Sequence, residues 1–227
     1  AAMFDSMRGG GCLDLDSRKG KAPGGYQYQR QLSRKPFIFM NAAGMHRDLT
    51  TMVHEAGHAL VAALTGRDVK LASILRRAGS LGLVAHGEFE ERYLKTPADA
   101  TDLMAVALAG RAAEIQEFGE ASSGIASDLA AATNMAAQLV GMLGAGGSLL
   151  SLEAAHMPGA GNLVAKVFHD EKARDKADEF MNAAADRAAC AVLEHRRALI
   201  ALADALCEQD ELSGDDVHAI VAANVPA

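Results

Sequence analysis

The pattern of hydrophobic and polar positions predicts a mainly helical chain with a small β-sheet. The apolar run PFIFM at residues 36–40 is typical of a short buried strand. Residues 49–65 have the spacing of an amphipathic helix, for which Asp48 is a suitable N-cap and Gly66 a suitable end. One well-delimited helix is therefore expected early in the chain.

The next segments predict a hairpin followed by a helix. Residues 68–75 and 81–86 are short apolar stretches separated by the turn-forming residues RRAGS, a pattern that favours two antiparallel strands. Thr96 followed by Pro97 indicates the start of a helix that ends near Glu117.

Helical propensity dominates the remainder of the chain. Ser127 is expected to start a helix that ends at Gly144 or a nearby glycine, and residues 162–207 are strongly helical in propensity. The segment SGDD at Ser213 predicts the cap of a last short helix. The expected fold is mainly α with a small β-sheet, and it ends in a C-terminal helical bundle.

Composition and charge narrow the class of protein. A chain of 227 residues can bury a core without disulfides, and its three cysteines (Cys12, Cys190 and Cys207) are widely separated, which favours a reducing, cytoplasmic compartment. No segment has the character of a signal peptide or a membrane span, so no membrane association is expected. The formal net charge of −7 gives no electrostatic reason to expect nucleic acid as a partner.

The strongest chemical signal is HEAGH at residues 54–58, an HExxH pattern inside the predicted helix. Residues four apart lie on the same face of a helix, so His54 and His58 can bind one zinc ion while Glu55 lies beside them. Neutral imidazoles leave the zinc cationic enough to acidify bound water, and a neighbouring carboxylate can take that proton. The pattern predicts a zincin-like helix, Zn²⁺ as cofactor, Glu55 as general base and peptide hydrolysis as the reaction.

A catalytic zinc ion usually has a third protein ligand, and the residues alone leave its identity open. The metzincin pattern is excluded because Val61 and Leu64 occupy the positions where it requires Gly and His. Asp128 follows a predicted helix start, where an acidic residue is favoured by the helix dipole without any metal. Other candidates lie in the segment HGEFEERY: His86, Glu88, Glu90 and Glu91.

From Met52 onward the chain resembles the peptidase domain of the FtsH-type membrane proteases. The likeness is carried by VHEAGHALVAALTG, SLGLVAHGEFEERYLKT, ALAGRAAEIQEFGEASSGIASDLAAAT and GSLLSLEA. It implies that Asp128 is the third zinc ligand, with Glu55 as base. It also implies that Leu81, Gly82, Leu83 and Val84 form a strand that pairs with extended substrate.

The chain departs from that family in the segment before the peptidase. The one Gly-Lys pair, Gly20-Lys21, is followed by Ala22 and lacks the upstream glycine of a Walker motif. The expected enzyme is therefore an ATP-independent peptidase that acts on peptides or unfolded proteins. The sequence leaves open whether it forms a homo-oligomer.

Residues 4–60 resemble a different family, the oligoendopeptidase F peptidases, up to and including their own HExxH. The likeness is carried by FDSMRGGGCLDLDSRKGKAPGGYQ and RKPFIFMNAAGMHRDLTTMVHEAGHA. We therefore interpret the chain as a mosaic of two segments. Residues 1–45 form an N-terminal segment for which both an ordered and a partly disordered state are open, and residues 46–227 form an FtsH-like zinc peptidase domain. Two alternative functions follow: an oligopeptidase limited to short peptides, or a peptide-binding protein whose distorted metal site is inactive.

Overall fold

The computed structural model describes residues 13–16, 25–29, 36–42, 46–75, 82–87, 96–155 and 161–225. The chain divides into two compact units, Ala1–Leu49 and Thr50–Ala227. The predicted domain boundary between residues 45 and 46 stays a prediction.

The first unit contains a three-stranded sheet. Its strands are β1 (Leu13–Asp16), β2 (Gly25–Gln29) and β3 (Pro36–Ala42). The central strand β3 pairs in parallel with β1 and antiparallel with β2. The strand predicted at residues 36–40 is confirmed and runs two residues further, whereas β1 and β2 lie in a glycine-rich stretch that carried no strand prediction.

The second unit contains another three-stranded sheet, formed by β4 (Asp68–Ser73), β5 (Leu83–Gly87) and β6 (Glu211–Ser213). The predicted hairpin is confirmed, because β4 pairs antiparallel with β5. The other edge of β4 pairs with β6, a strand of three residues that was too short to predict. Strand β5 is therefore an edge strand of this sheet.

The helices make up most of the described chain, which confirms the predicted fold class. They are α1 (His46–Leu64), α2 (Pro97–Phe118), α3 (Ala126–Gly141), α4 (Leu163–His169), α5 (Glu171–Glu194), α6 (Arg196–Gln209) and α7 (Gly214–Asn224). None of the helices in these ranges is long and apolar enough to cross a membrane.

Two helix starts differ from the prediction by a few residues. Helix α1 begins at His46, so Asp48 lies in its first turn and is not the N-cap. An acidic residue in the first turn is also favoured by the helix dipole, so the same sequence fits the earlier start. Helix α3 begins at Ala126, directly after a 3-10 turn, Ser123–Ile125, that is capped by the Ser122 side chain.

Two other predicted helix starts, at Thr96 and Ser213, are confirmed by their N-caps. Thr96 and Asp99 form a reciprocal capping box at the start of α2, with Pro97 as its first residue. Ser213 and Asp216 form the same arrangement at the start of α7. Each box satisfies backbone N–H groups that the first turn of a helix cannot bond internally.

Helices α1 and α2 cross closely in the core of the second unit. A Cβ at Gly57 of α1 would lie 2.7 Å from the Ala109 carbonyl oxygen and 2.8 Å from the Ala113 Cβ, both on α2. Larger residues of the same hydrophobic core are fully buried, among them Leu60, Met104, Leu139, Leu199 and Leu206. Burying a side chain of this size stabilises a fold by about 1.5–3 kcal/mol, so the core holds the crossing firmly.

Candidate metal centre

The two motif histidines lie one turn apart on α1 and point their Nε2 atoms at each other. The Nε2 atoms of His54 and His58 are 3.0 Å apart, and the two rings meet edge to face with centroids 4.7 Å apart. The predicted register of the HExxH helix is therefore present, and both Nε2 atoms face the same point.

Asp128 reaches this point from the first turn of α3. Its Oδ2 lies 3.2 Å from Nε2 of His54 and 3.5 Å from Nε2 of His58. Within the described ranges, these three residues are the one group of His, Cys, Asp or Glu side chains with ligand atoms close enough to share a metal ion. The structure thus brings together the three residues that the sequence analysis proposed as ligands.

The outer nitrogens of both imidazoles already have partners on α2. His58 Nδ1 lies 2.7 Å from the Val106 carbonyl oxygen, and His54 Nδ1 lies 2.7 Å from Glu114 Oε1. A carbonyl oxygen only accepts hydrogen bonds, so His58 Nδ1 must carry the proton and donate it. The Glu114 carboxylate accepts from His54 Nδ1 in the same way, so Nε2 is the nitrogen of each ring that remains for a metal ion.

Glu114 is a site residue that the sequence reasoning missed. Its side chain is only 1% exposed, and its carboxylate also accepts hydrogen bonds from the Ser122 backbone N–H and the Ser122 hydroxyl. Buried carboxylates need such partners, because an unpaired buried charge is costly. The available signal was an acidic residue on a helix face whose other positions are small or apolar.

The residues present fit a zinc ion. Two imidazole Nε2 atoms and a carboxylate oxygen lie within 3.5 Å of one another, and imidazole nitrogen and carboxylate oxygen are both ligands that zinc takes in proteins. A tetrahedral zinc ion with bonds of about 2.0–2.1 Å sets its ligand atoms roughly 3.3 Å apart. The observed separations of 3.0, 3.2 and 3.5 Å bracket that value.

Burial and hydrogen bonds shift the pKa values of the side chains at this point. Burial alone lowers the pKa of His54, but hydrogen bonds with Asp128 and Glu114 outweigh it and raise the pKa above its ordinary value. Burial would raise the pKa of Asp128, but its hydrogen bonds with His54 and His58 hold that pKa well below its usual range. Asp128 is therefore anionic, as a zinc ligand must be.

Glu55 lies beside the histidines in a nearly water-free position. It is 7% exposed, and burial raises its pKa more than the neighbouring His58 and His54 lower it. A raised pKa brings a carboxylate closer to the pH at which it can both accept and release a proton, which suits a general base.

A cleft of about 580 Å³ opens beside these side chains. Gly82, Leu83, Val84 and His86 line one wall of the cleft, while Leu103, Val106, Ala107, Ala131 and Met135 contribute apolar surface from α2 and α3. Leu81 lies outside the described residues, and so do the alternative ligands Glu88, Glu90 and Glu91. The catalytic, ligand and substrate roles of the individual residues stay predictions.

Comparison with known proteins shows which family this chain resembles. The sequence model of peptidase family M41 matches residues 43–220. Similar proteins include the ATP-dependent zinc metalloprotease FtsH 1 of Symbiobacterium thermophilum, 40% identical over 175 residues that cover 74% of this chain and 28% of the relative. The FtsH protease of Methylococcus capsulatus is 34% identical over 198 residues, covering 80% and 30%. YME1L of Drosophila melanogaster is 35% identical over 182 residues, covering 75% and 24%.

A second model, that of peptidase family M3, matches residues 2–78, in agreement with the predicted mosaic. The chain spans less than a third of the length of the curated relatives described above. The long M41 match contains both motif histidines and Asp128, whereas the M3 match ends before Asp128. The chain therefore belongs to peptidase family M41, as a zinc metallopeptidase domain of the FtsH type.

Proposed function

We propose that this chain hydrolyses peptide bonds without ATP, in peptides or unfolded proteins, with His54, His58 and Asp128 as zinc ligands and Glu55 as general base. The convergence of the three ligand atoms carries this proposal, because their separations suit one zinc ion. The outer nitrogens of both rings are already hydrogen-bonded, so the inner nitrogens are left for the metal.

Each side chain has a distinct part in the proposed reaction. A bound zinc ion supplies Lewis acidity, which lowers the pKa of water and polarises a carbonyl. Glu55 takes the proton of the attacking water and passes it to the leaving amine. Val106 and Glu114 hold the two imidazoles in one orientation and one tautomer, which keeps both inner nitrogens available.

The cleft wall formed by Gly82, Leu83 and Val84 favours an extended substrate. Among the described strands β5 pairs only with β4, so a peptide can add to its other edge through backbone hydrogen bonds. We include Leu81 in this segment on the strength of the family resemblance. Such pairing uses backbone hydrogen bonds, which every peptide can form, so any chain that is already unfolded can bind in this way.

ATP independence is proposed for this chain alone. The relatives named above are ATP-dependent according to their names, but the segment shared with them is less than a third of their length. Within the 227 residues Gly20-Lys21-Ala22 does not complete a nucleotide-binding loop.

The match of residues 2–78 to peptidase family M3 favours one alternative, an oligopeptidase limited to short peptides. That alternative uses the same zinc helix, so it differs from the first proposal only in the size of the accepted substrate. Cleavage of an unfolded protein discriminates between the two.

Glu55→Gln should abolish hydrolysis and leave zinc bound. The amide keeps the shape of the side chain but cannot accept and release the proton, while the three ligands are untouched. A loss of turnover of at least about 100-fold is expected for a general base. Peptide cleavage and zinc content are measured on the same preparation, and turnover at the wild-type rate would contradict the assignment of Glu55.

Asp128→Ala should release zinc, with a fall in affinity of about tenfold or more, because an anionic ligand is lost. Asp215→Ala is the matched control, since Asp215 is an exposed acid in the first turn of α7. If Asp128 served only the helix, both variants would lose about 1 kcal/mol or less of stability and keep zinc.

Replacing Glu88, Glu90 and Glu91 together by Gln should leave the zinc content unchanged. If this triple variant lost zinc while the Asp128→Ala variant kept it, the third ligand would be one of these glutamates and not Asp128.

Glu114→Gln should weaken zinc binding by about 10–100-fold without removing a ligand, because a neutral amide is a poorer partner for the His54 ring. Glu117→Gln is the control on the same helix, where the carboxylate pairs with Arg196 away from the metal centre. Competition with a chromophoric chelator measures both affinities. Equal zinc affinity in Glu114→Gln and the wild type would show that Glu114 does not contribute to metal binding.

Cleavage of unfolded casein should proceed at the same rate with and without ATP, and phenanthroline should stop it by removing zinc. A short fluorogenic peptide is assayed in parallel. Stimulation by ATP would contradict the proposed independence, and cleavage of the short peptide but not of casein would support the oligopeptidase alternative. A zinc-loaded protein that cleaves neither substrate would support the peptide-binding alternative.

A further inference from the structure

We infer that Gly110 and Gly82 are positioning residues, whose missing side chains create the spaces in which the His54 imidazole and the Glu55 carboxylate lie. This inference rests on the proposed function, because it assigns the two glycines to a zinc ligand and to the general base respectively. Each glycine acts through the side chain that it accommodates, so replacing one should affect metal binding and replacing the other should affect turnover.

Gly110 lies against the ring of His54. A Cβ at this position would come within 2.5 Å of Cε1, 2.6 Å of Nε2 and 2.7 Å of Nδ1 of that ring. Real Cβ atoms essentially never approach another group more closely than 3.0 Å. The imidazole and a residue-110 side chain therefore exclude each other at this place.

Gly110 also stands in the middle of the row that receives both histidines. Val106, Gly110 and Glu114 follow one another at intervals of four residues, which places them on the same face of α2. The Val106 carbonyl accepts a hydrogen bond from His58, and the Glu114 carboxylate accepts one from His54. The residue between the two acceptors must be without a side chain, because the His54 ring passes over it to reach Glu114.

Backbone conformation does not explain this glycine. Gly110 is inside a regular helix and is absent from the described glycines with positive φ, which are Gly66, Gly119, Gly144 and Gly147. Alanine is the better helix former, so it would be the stabilising choice at this position if the space were open. The requirement is therefore for volume.

Gly82 has the same relation to Glu55. A Cβ there would lie 2.6 Å from both Cγ and Cδ of Glu55 and closer still to Oε1. Its φ also lies outside the positive range. Glu55 is 7% exposed, and residue 82 lies directly against its side chain. A methyl group at residue 82 would push the carboxylate out of its present position.

The two replacements should affect different quantities: zinc affinity in one variant and kcat in the other. Gly110→Ala should weaken zinc binding by about 10–100-fold, as loss of a partner that orients a ligand does. Gly82→Ala should keep the wild-type zinc affinity and lower kcat by about 10–100-fold, because displacement of a catalytic group by about 1 Å costs that much. KM should change far less than kcat in Gly82→Ala if the Cβ acts on Glu55 rather than on substrate pairing.

The experiment measures zinc affinity by chelator competition, kcat and KM on a fluorogenic peptide, and Tm for each variant. Gly161→Ala is the control, because a Cβ at Gly161 meets no atom within 4 Å and Gly161 does not line the cleft. It should match the wild type in all four quantities. Wild-type zinc affinity in Gly110→Ala, or wild-type kcat in Gly82→Ala, would overturn the corresponding half of the inference.

Variants that fold poorly are tested by removing the side chain on the other side of the contact. His54→Ala/Gly110→Ala should melt no lower than His54→Ala, and Glu55→Ala/Gly82→Ala no lower than Glu55→Ala, because the truncated side chain leaves room for the methyl group. A Tm lower by about 3 °C or more in a double variant would show that the glycine serves the backbone or the core, and would overturn the inference.

Failure of the proposed function would look different. If the wild-type protein bound no zinc and cleaved no peptide, the proposed function would fall, while the Tm comparisons would still support or overturn the steric role of each glycine. If the wild type bound zinc and cleaved peptide, and both glycine variants did so equally well, the proposed function would stand and this inference would fall.

Discussion

Two hydrogen bonds from the histidines of α1 to acceptors on α2 determine the geometry of the metal centre. An imidazole on a helix can rotate about two side-chain bonds, so the HExxH spacing alone does not fix where its inner nitrogen points. The Val106 carbonyl and the Glu114 carboxylate remove that freedom by holding the outer nitrogens at 2.7 Å. The inner nitrogens therefore converge on one point, which suits the binding of a single metal ion by both rings.

That geometry depends in turn on how closely the two helices approach. Gly57 of α1 lies against Ala109 and Ala113 of α2, and Gly110 admits the His54 ring to the same surface. Small residues at a crossing allow backbones to come near each other, while the larger buried residues around it resist displacement. Precision at the site is therefore a property of the core, and a core substitution that shifts α2 would shift both acceptors together.

The sequence predicted the structural elements that depend on interactions between residues close together in the chain. The HExxH helix, the Thr96 and Ser213 caps and the β4–β5 hairpin follow from side chains within a few residues of each other. Glu114 and strand β6 could not be found this way, because their partners lie 60 and about 140 residues away. Asp128 is an intermediate case. Its residue type and position suited a helix start equally well, and only the family resemblance singled it out before the fold brought it within 3.2 Å of His54.

Asp128, the proposed third ligand, discriminates between the two family likenesses. Helix α1 lies within the overlap of both matches, so its two histidines and its glutamate do not discriminate between the two likenesses. A resemblance that ends at residue 78 cannot supply a ligand from α3. The structure places Asp128 beside both inner nitrogens, and the segment from β4 through α2 to α3, which contains Asp128, belongs to the M41 match. The group of side chains that could share a metal ion, His54, His58 and Asp128, therefore lies entirely within the M41 match.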